Sequence, residues 1–280
     1  MRIDTHVHST ASDSTLTPSQ LMWHARESGL GAIAITDHDT MNGWEEAASL
    51  VEKTGVGLIR GIEMSSKYLG ITTHILGYLY DPENAQIVEH CNSVRKSRFT
   101  RTHAMVELLS KDYPIGWEDV KEVAEDGATL GRPHIADALV AKGITSNRSE
   151  AFQHILHPRS PYYVEHYAPN TLDVVRWITE AGGRAVFAHP VAPHRNKVVP
   201  WELFGMLRDA GLWGVEIYHR DNALDLAEKL KVEARELGLE IFGSSDYHGS
   251  GKPNLLGENT TEFEVVQRME EGAFLPILWP

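Results

Sequence analysis

The chain has 280 residues, 42% of them hydrophobic, enough to bury a substantial core as one large domain or one domain with an insertion. A formal charge of −13 excludes a protein that coats DNA nonspecifically, yet it leaves a phosphorylated substrate open, because two or three divalent ions reverse the field inside a pocket. The single cysteine, Cys91, excludes an intramolecular disulfide and a thiolate-rich zinc site.

In chain order, short β-branched runs alternate with amphipathic segments, the pattern of β/α units around a parallel sheet. The chain opens on RIDTHVH with no charged leader, and no apolar run approaches the roughly 20 residues of a membrane span, so a cytoplasmic protein without a membrane partner is expected. Strands are expected at residues 2–5, 32–36, 58–63, 72–78, 185–189, 215–218 and 240–243. Helices are expected to begin near Pro18, Met41, Thr171, Pro200 and Asn222. Thr17 suits an N-cap with Pro18 at the first helical position, and Gly29 closes that helix. From residue 83 to 165 helical periodicity replaces the strand runs, which predicts a helical insertion subdomain between barrel segments 1–82 and 166–280.

Side chains suited to metal ions recur beside these strands. His6 and His8, in DTHVHST, are two apart, so on a strand both imidazoles face one way. Asp13 follows, then His38 in TDHD, Glu63 in GIE, His74 in THILGY, His189 in AHP, and Asp246 and His248 in SDYHG. Most fall at or just past the carboxyl ends of strands, where β/α barrels assemble their sites. Imidazole and carboxylate without thiolate favour manganese, iron or zinc. Such ions lower the pKa of water from about 16 to about 7 and clamp phosphoryl oxygens as charge builds on them.

Other residues are weighed individually. Asp37, beside His38, is expected to orient a ligand imidazole, while Asp4 and Asp39 read as structural. Arg132 and His134, in GRPHIADALV, stand where a helix starts, a place that favours an anion; Arg132 suits phosphate and His134 suits proton donation to a leaving oxygen. His219, ending VEIYH, is expected either to face the pocket and touch substrate or to be a core residue. Arg95, Lys96, Arg98 and Arg101 read as a solvated helix face. His90, His103, His154, His157, His166 and His194 match no motif, and the tryptophans read as packing anchors.

Taken in order, DTHVHS, TDHD, GIE, H-ILGY, AHP and SDYHG resemble the PHP (polymerase and histidinol phosphatase) family. The branch most resembled is that of nucleoside 3′,5′-bisphosphate phosphatases and 5′ to 3′ exonucleases, which carry a helical insertion with a GRPHIA-like segment. The resemblance implies an α/β fold, a distorted (β/α)7 TIM-like barrel, and two or three divalent ions, manganese foremost. It implies a first ion on His6, His8, Glu63 and Asp246, a second sharing Glu63 with His74 and His189, and a third on Asp13, His38 and His248. Asp246, His134 and Asp37 are the expected catalytic residues, and Arg132, His134 and His219 the expected substrate contacts. The expected substrate is a small phosphorylated nucleotide that loses its 3′-phosphate. The alternatives are an exonuclease on short RNA or DNA and an amidohydrolase-like C–N or lactone hydrolase. That last class often uses a bridging modified lysine, where Glu63 stands here.

Overall fold

The computed structural model describes residues 1–124, 128–165, 167–195 and 197–280. Strand β1 (Ile3–Val7) is buried at every position, as is β2 (Ala32–Ile35), because both faces of the sheet are covered. Between them α1 (Pro18–Glu27) starts as its sequence dictates. Thr17 Oγ1 accepts from the Gln20 N–H at 3.2 Å, and the Gln20 side chain accepts from the Thr17 N–H at 2.9 Å. Short helices α2 (Trp44–Ala48) and α3 (Val51–Thr54) lead to β3 (Gly57–Tyr68), which turns back into β4 (Ile71–Tyr78).

A run of helices follows: α4 (Ala85–Leu109), α5 (Trp117–Glu122), α6 (Arg132–Ala141) and α7 (Arg148–His154). Then α8 (Thr171–Glu180), β5 (Arg184–Phe187), α9 (Glu202–Asp209), β6 (Leu212–Tyr218), α10 (Leu224–Leu237) and β7 (Glu240–Gly243) resume the alternation, and α11 (Phe263–Glu270) ends it.

The strands form one curled sheet in sequential order from β1 to β7. The expectation of a parallel sheet fails at β4, which runs antiparallel to both β3 and β5. The reason is the connection. Only Leu69 and Gly70, with φ of +49° and +78°, separate β3 from β4, and two residues can close a hairpin but not a parallel crossover, which takes a dozen or more. The curl brings the ends together, where His8 N–H donates to the Tyr247 carbonyl at 3.0 Å.

Alternation along the strands divides the core. Ile33 and Ile35 join the cluster under the helices, while Ala32, Ala34, Ile59, Leu76, Val186 and Phe242 fill the concave side with Val265, Val266 and Met269 of α11. A third cluster, including Met105, Leu109, Ile135, Leu139 and Leu156, belongs to the α4–α7 segment and its flanks. Among the described residues no helix is long and apolar enough to cross a membrane.

Candidate metal centre

His6 lies on β1 and His8 just beyond it, and their Nε2 atoms are 3.0 Å apart. Glu63 Oε2 sits 3.2 Å from His6 Nε2 and 3.1 Å from His8 Nε2, and Asp246 Oδ1 sits 3.4 and 3.2 Å from the same atoms. An ion about 2.1 Å from each nitrogen or oxygen ligand spaces neighbouring ligands by about 3.0 Å in octahedral and about 3.4 Å in tetrahedral geometry. All five separations fall in that interval.

Glu63 continues to a second group. Its Oε1 is 2.7 Å from His74 Nδ1 and 3.2 Å from His189 Nε2, and its Oε2 is 3.2 Å from His38 Nδ1. In a third group, Asp13 Oδ1 lies 3.2 Å from His248 Nε2 and 3.8 Å from His8 Nδ1, with Asp13 Oδ2 3.9 Å from His38 Nε2. All nine side chains singled out in the sequence meet at one rim, though not always as grouped there. His38 turns one nitrogen to Glu63 and the other to Asp13, and His8 faces both the first and third groups. His74 reaches this rim from the middle of its strand because β4 runs against its neighbours.

The residues fit a set of cations. Among the described residues, His38 Nδ1, His74 Nδ1, His248 Nε2 and Glu63 Oε2 are buried atoms with no hydrogen-bond partner, although each lies close to another ligand atom. Orphaned buried polar atoms cost about 1–3 kcal/mol apiece, so lone pairs converging without hydrogen bonds suit a shared positive ion.

Electrostatics pull the rings in two directions. Burial opposes protonation of His6 and His8, but the nearby carboxylates outweigh it; His6 is raised by Glu216, Glu63 and Asp246, and His8 to about 9 by Asp246 and Glu63. Burial prevails at His189 and His248, which both fall to about 4, helped at His189 by Arg195 and at His248 by His8 and Lys252.

Three side chains that sequence reasoning missed hold this arrangement. Glu216, fully buried on β6, accepts from His6 Nδ1 at 2.9 Å, from the His189 N–H at 2.7 Å and from Ser244 Oγ. Its bond to Nδ1 leaves the His6 Nε2 lone pair facing the cluster. Asp246 Oδ2 accepts from Arg195 Nη2 at 2.6 Å and Lys252 Nζ at 2.9 Å, leaving Oδ1 toward His6 and His8. Arg195 also pairs with Asp221, so the His219, Asp221 and Asp246 trio already holds a guanidinium. Asp246 and His189 take φ of +52° and +33°, a strained backbone that costs of order 1–3 kcal/mol each and concentrates at functional sites.

The remaining candidates fall in distinct places. Asp37 accepts from Ser9 N at 2.7 Å, Ser9 Oγ at 2.5 Å and Ser12 Oγ at 2.6 Å, so it anchors the loop after His8, where Ser12 Oγ lies 3.4 Å from His8 Nδ1. Asp4 and Asp39 accept backbone N–H groups from Ser245 and Ser65. His219 is buried, its ring centroid 5.3 Å from that of His189 and its Nε2 3.8 Å from Asp246 Oδ2; burial lowers its pKa to about 3. Arg132 begins α6 with its guanidinium over Phe152 and Tyr163 at 5.3 and 5.5 Å, and His134 Nδ1 accepts from Gly131 N–H at 3.2 Å.

The solvated-face reading of α4 is corrected at two positions. Arg101 is 6% exposed, and the Arg98 side chain, 12% exposed, reaches Ser65 Oγ at 2.7 Å and Asp39 Oδ2 at 3.3 Å. Burial, then the charges of Arg132 and Arg98, push the Arg101 pKa down to about 9. His90, given no role from sequence, contacts Asp39 at 3.2 Å, while His166 lies outside the described residues.

The PHP domain model matches residues 4–141. Over 251 residues the chain is 31% identical to the 3′,5′-nucleoside bisphosphate phosphatase of Chromobacterium violaceum, covering 89% of this chain and 88% of that one. It is 30% identical to a 5′-3′ exoribonuclease of Haemophilus influenzae, over 88% and 90% of the two chains. A crystal structure of an inferred metal-dependent phosphoesterase from Bifidobacterium adolescentis matches with a TM-score of 0.95 at 40% identity, covering 97% of this chain and 96% of that one. The curled α/β sheet, the imidazole–carboxylate rim and these likenesses define a metal-dependent hydrolase of phosphoric esters. The chain belongs to the PHP-domain family.

Proposed function

We propose that this enzyme removes the 3′-phosphate from nucleoside 3′,5′-bisphosphates, releasing a nucleoside 5′-monophosphate and orthophosphate. The observation that carries the reading is a largely buried group of arginines near the cluster. Arg98, Arg101 and Arg132 crowd like charges in a largely buried space, and Arg98 bonds Ser65, the register partner of His74. A substrate with two phosphates uses both places, one at the cluster and one at the arginines, where the planar fork of arginine suits phosphate oxygens.

Two or three divalent ions, manganese before iron or zinc, would supply an activated water and a clamp on the phosphoryl oxygens. His6, His8, Glu63 and Asp246 would hold one, Glu63 with His74, His189 and His38 another, and Asp13, His248 and His8 a third. Asp246 keeps Oδ1 aimed by the grip of Arg195 and Lys252 on Oδ2, and Asp37 steadies Ser9 and Ser12 under His8. With His134 Nδ1 accepting from Gly131, the ring proton sits on Nε2, and burial lowers its pKa. His134 therefore serves the leaving oxygen as a neutral hydrogen-bond donor. His219 acts from below, packed on His189.

In this reading the helical segment 83–165 is an insertion in a barrel of residues 1–82 and 166–280, and the enzyme works in the cytoplasm without a stable DNA complex. The test is a comparison of kcat/KM, with manganese added, for a nucleoside 3′,5′-bisphosphate, a nucleoside 3′-monophosphate and a 5′-phosphorylated oligonucleotide. The bisphosphate is expected to lead, and loss of the 5′-phosphate to cost at least about tenfold, chiefly in KM. Faster turnover of the oligonucleotide supports the exonuclease reading instead. Inactivity on every phosphate ester, with turnover of C–N or lactone substrates, overturns both.

A further inference from the structure

Asp13 stands well inside the loop between β1 and α1, farther from β1 than His8, so what holds that loop decides where its carboxylate points. A single guanidinium does much of this. Arg148, the first residue of α7, sets Nε and Nη2 on the two carboxylate oxygens of Asp137 in α6, at 2.5 and 2.6 Å, and gives Nη1 to the Asp13 carbonyl at 2.8 Å. The same group lies against Gly251, three residues after His248. A Cβ on Gly251 would stand 2.2 Å from Nη1 and 2.8 Å from Cζ, so the absence of a side chain there makes the cradle that admits it.

Two further contacts join the same parts. Thr129 N–H donates to the Ala11 carbonyl at 3.2 Å, and Ser250 N–H donates to Thr15 Oγ1 at 2.9 Å. By contrast, among the described residues no hydrogen bond to the side chains of His6, His8, Glu63 or Asp246 comes from the α4–α7 segment.

We infer that Arg148 is a positioning residue through which the helical segment sets the affinity of the Asp13–His248 cation position, leaving the other positions untouched. This rests on the metal-cluster reading above. A planar fork held on both oxygens of Asp137 has one fixed direction left for Nη1, so the Asp13 loop is ordered before any cation arrives and none of the binding energy is spent ordering it. The link also runs to substrate, because Asp137 lies one turn beyond His134 and five residues from Arg132 on α6. An anion that steadies the start of α6 tightens the Asp13–His248 position, and by linkage a cation there tightens the anion.

The experiment is equilibrium dialysis against manganese with metal analysis of the protein, with and without a nucleoside 5′-monophosphate, for wild type, Arg148→Met, Arg148→Lys and the isosteric Asp137→Asn, with melting curves for each. Wild type is expected to bind three equivalents, one of them tightened by the nucleotide. Arg148→Met is expected to weaken one equivalent by about 10- to 100-fold, keep the others within about twofold, lose the nucleotide effect and regain turnover at high manganese. Arg148→Lys and Asp137→Asn are expected to fall between. Unchanged affinity in Arg148→Met overturns the inference alone, and so does weakening of all equivalents together in all three variants. Wild-type protein that binds only two equivalents overturns this inference and leaves the proposed function standing, whereas protein that binds fewer than two overturns the metal-cluster reading as well.

Discussion

Replacing Glu216 with glutamine tests whether the cluster is aimed by what stands behind it. Glu216 offers acceptor oxygens in two directions, Oε1 toward His6 Nδ1 and Ser244 Oγ, and Oε2 toward the His189 N–H. Glutamine has one acceptor oxygen and an NH2 of the same shape. If the oxygen stays with His6, the NH2 meets the His189 N–H, donor against donor, and the loop that carries the His189 ring is displaced. If the amide flips, NH2 faces His6 Nδ1 and drives the ring proton to Nε2, which removes the lone pair that faces His8, Glu63 and Asp246. Either way a ligand is lost or turned. Loss of a partner behind a ligating histidine typically costs 10- to 100-fold in metal affinity or activity, about 1.4–2.7 kcal/mol. Manganese titration of the dialysed variant, read by phosphate release and by bound metal, should show that shift with little change in secondary structure. A Glu216→Gln protein whose metal affinity and kcat both stay within twofold of wild type would refute the reasoning.

Three further outcomes follow from other parts of the structure. Stripping divalent ions with a chelator should lower the melting temperature, since a site held at 100 times its dissociation constant adds about 2.7 kcal/mol, or roughly 5–10 °C for a chain of this size; an unchanged melt counts against a resident cation. Arg101→Met should raise KM for the bisphosphate at least about tenfold while leaving turnover of a small aryl phosphate within about threefold; equal losses on both substrates would refute the proposed role of Arg101 toward a second phosphate. Tyr78→Phe removes a 2.6 Å bond from a fully buried hydroxyl to the Thr5 carbonyl and should cost about 1–3 kcal/mol in urea unfolding, with kcat nearly intact; a neutral result would mean the carbonyl finds another donor.

The strand positions were legible because β-branched runs bounded by turn residues mark them, and the rim was legible because histidine and acid residues are rare companions for such runs. Strand direction was not. Sequence shows that a strand follows Gly70, but the hairpin is set by how few residues precede it, and the boundaries of β3 and β4 are the least readable part of that stretch. Glu216 was hidden for a different reason. In VEIYH an acid between Val215 and Ile217 reads as the outward half of an alternating strand, whereas here both faces are covered and all three residues are buried. Arg98 and Arg101 share a helix with Arg95 and Lys96, but Arg98 reaches Ser65 and Asp39 and Arg101 is buried near Arg132 and Tyr163, all more than thirty positions away.

The charged groups that were missed or misread, unlike the direction of β4, have a common cause that bears on the chemistry. Each has a partner that lies far along the chain: Glu216 under His6, Arg195 on Asp246, and Arg98 on Asp39. A lone charge at any of these positions would be expelled or neutralised, so each is tolerated only once the fold delivers its counter-charge. The imidazole–carboxylate rim has the same requirement. Its carboxylates, Asp13, Glu63 and Asp246, are held well below the usual range against burial, Asp13 and Glu63 by the imidazoles around them and Asp246 first by Lys252 and Arg195, and protons drawn onto His6 and His8 supply part of that charge. Those protons occupy the lone pairs that a divalent ion would use. Proton and metal are therefore alternatives at the same atoms, so the charge balance of this cluster depends on which of them the solution supplies.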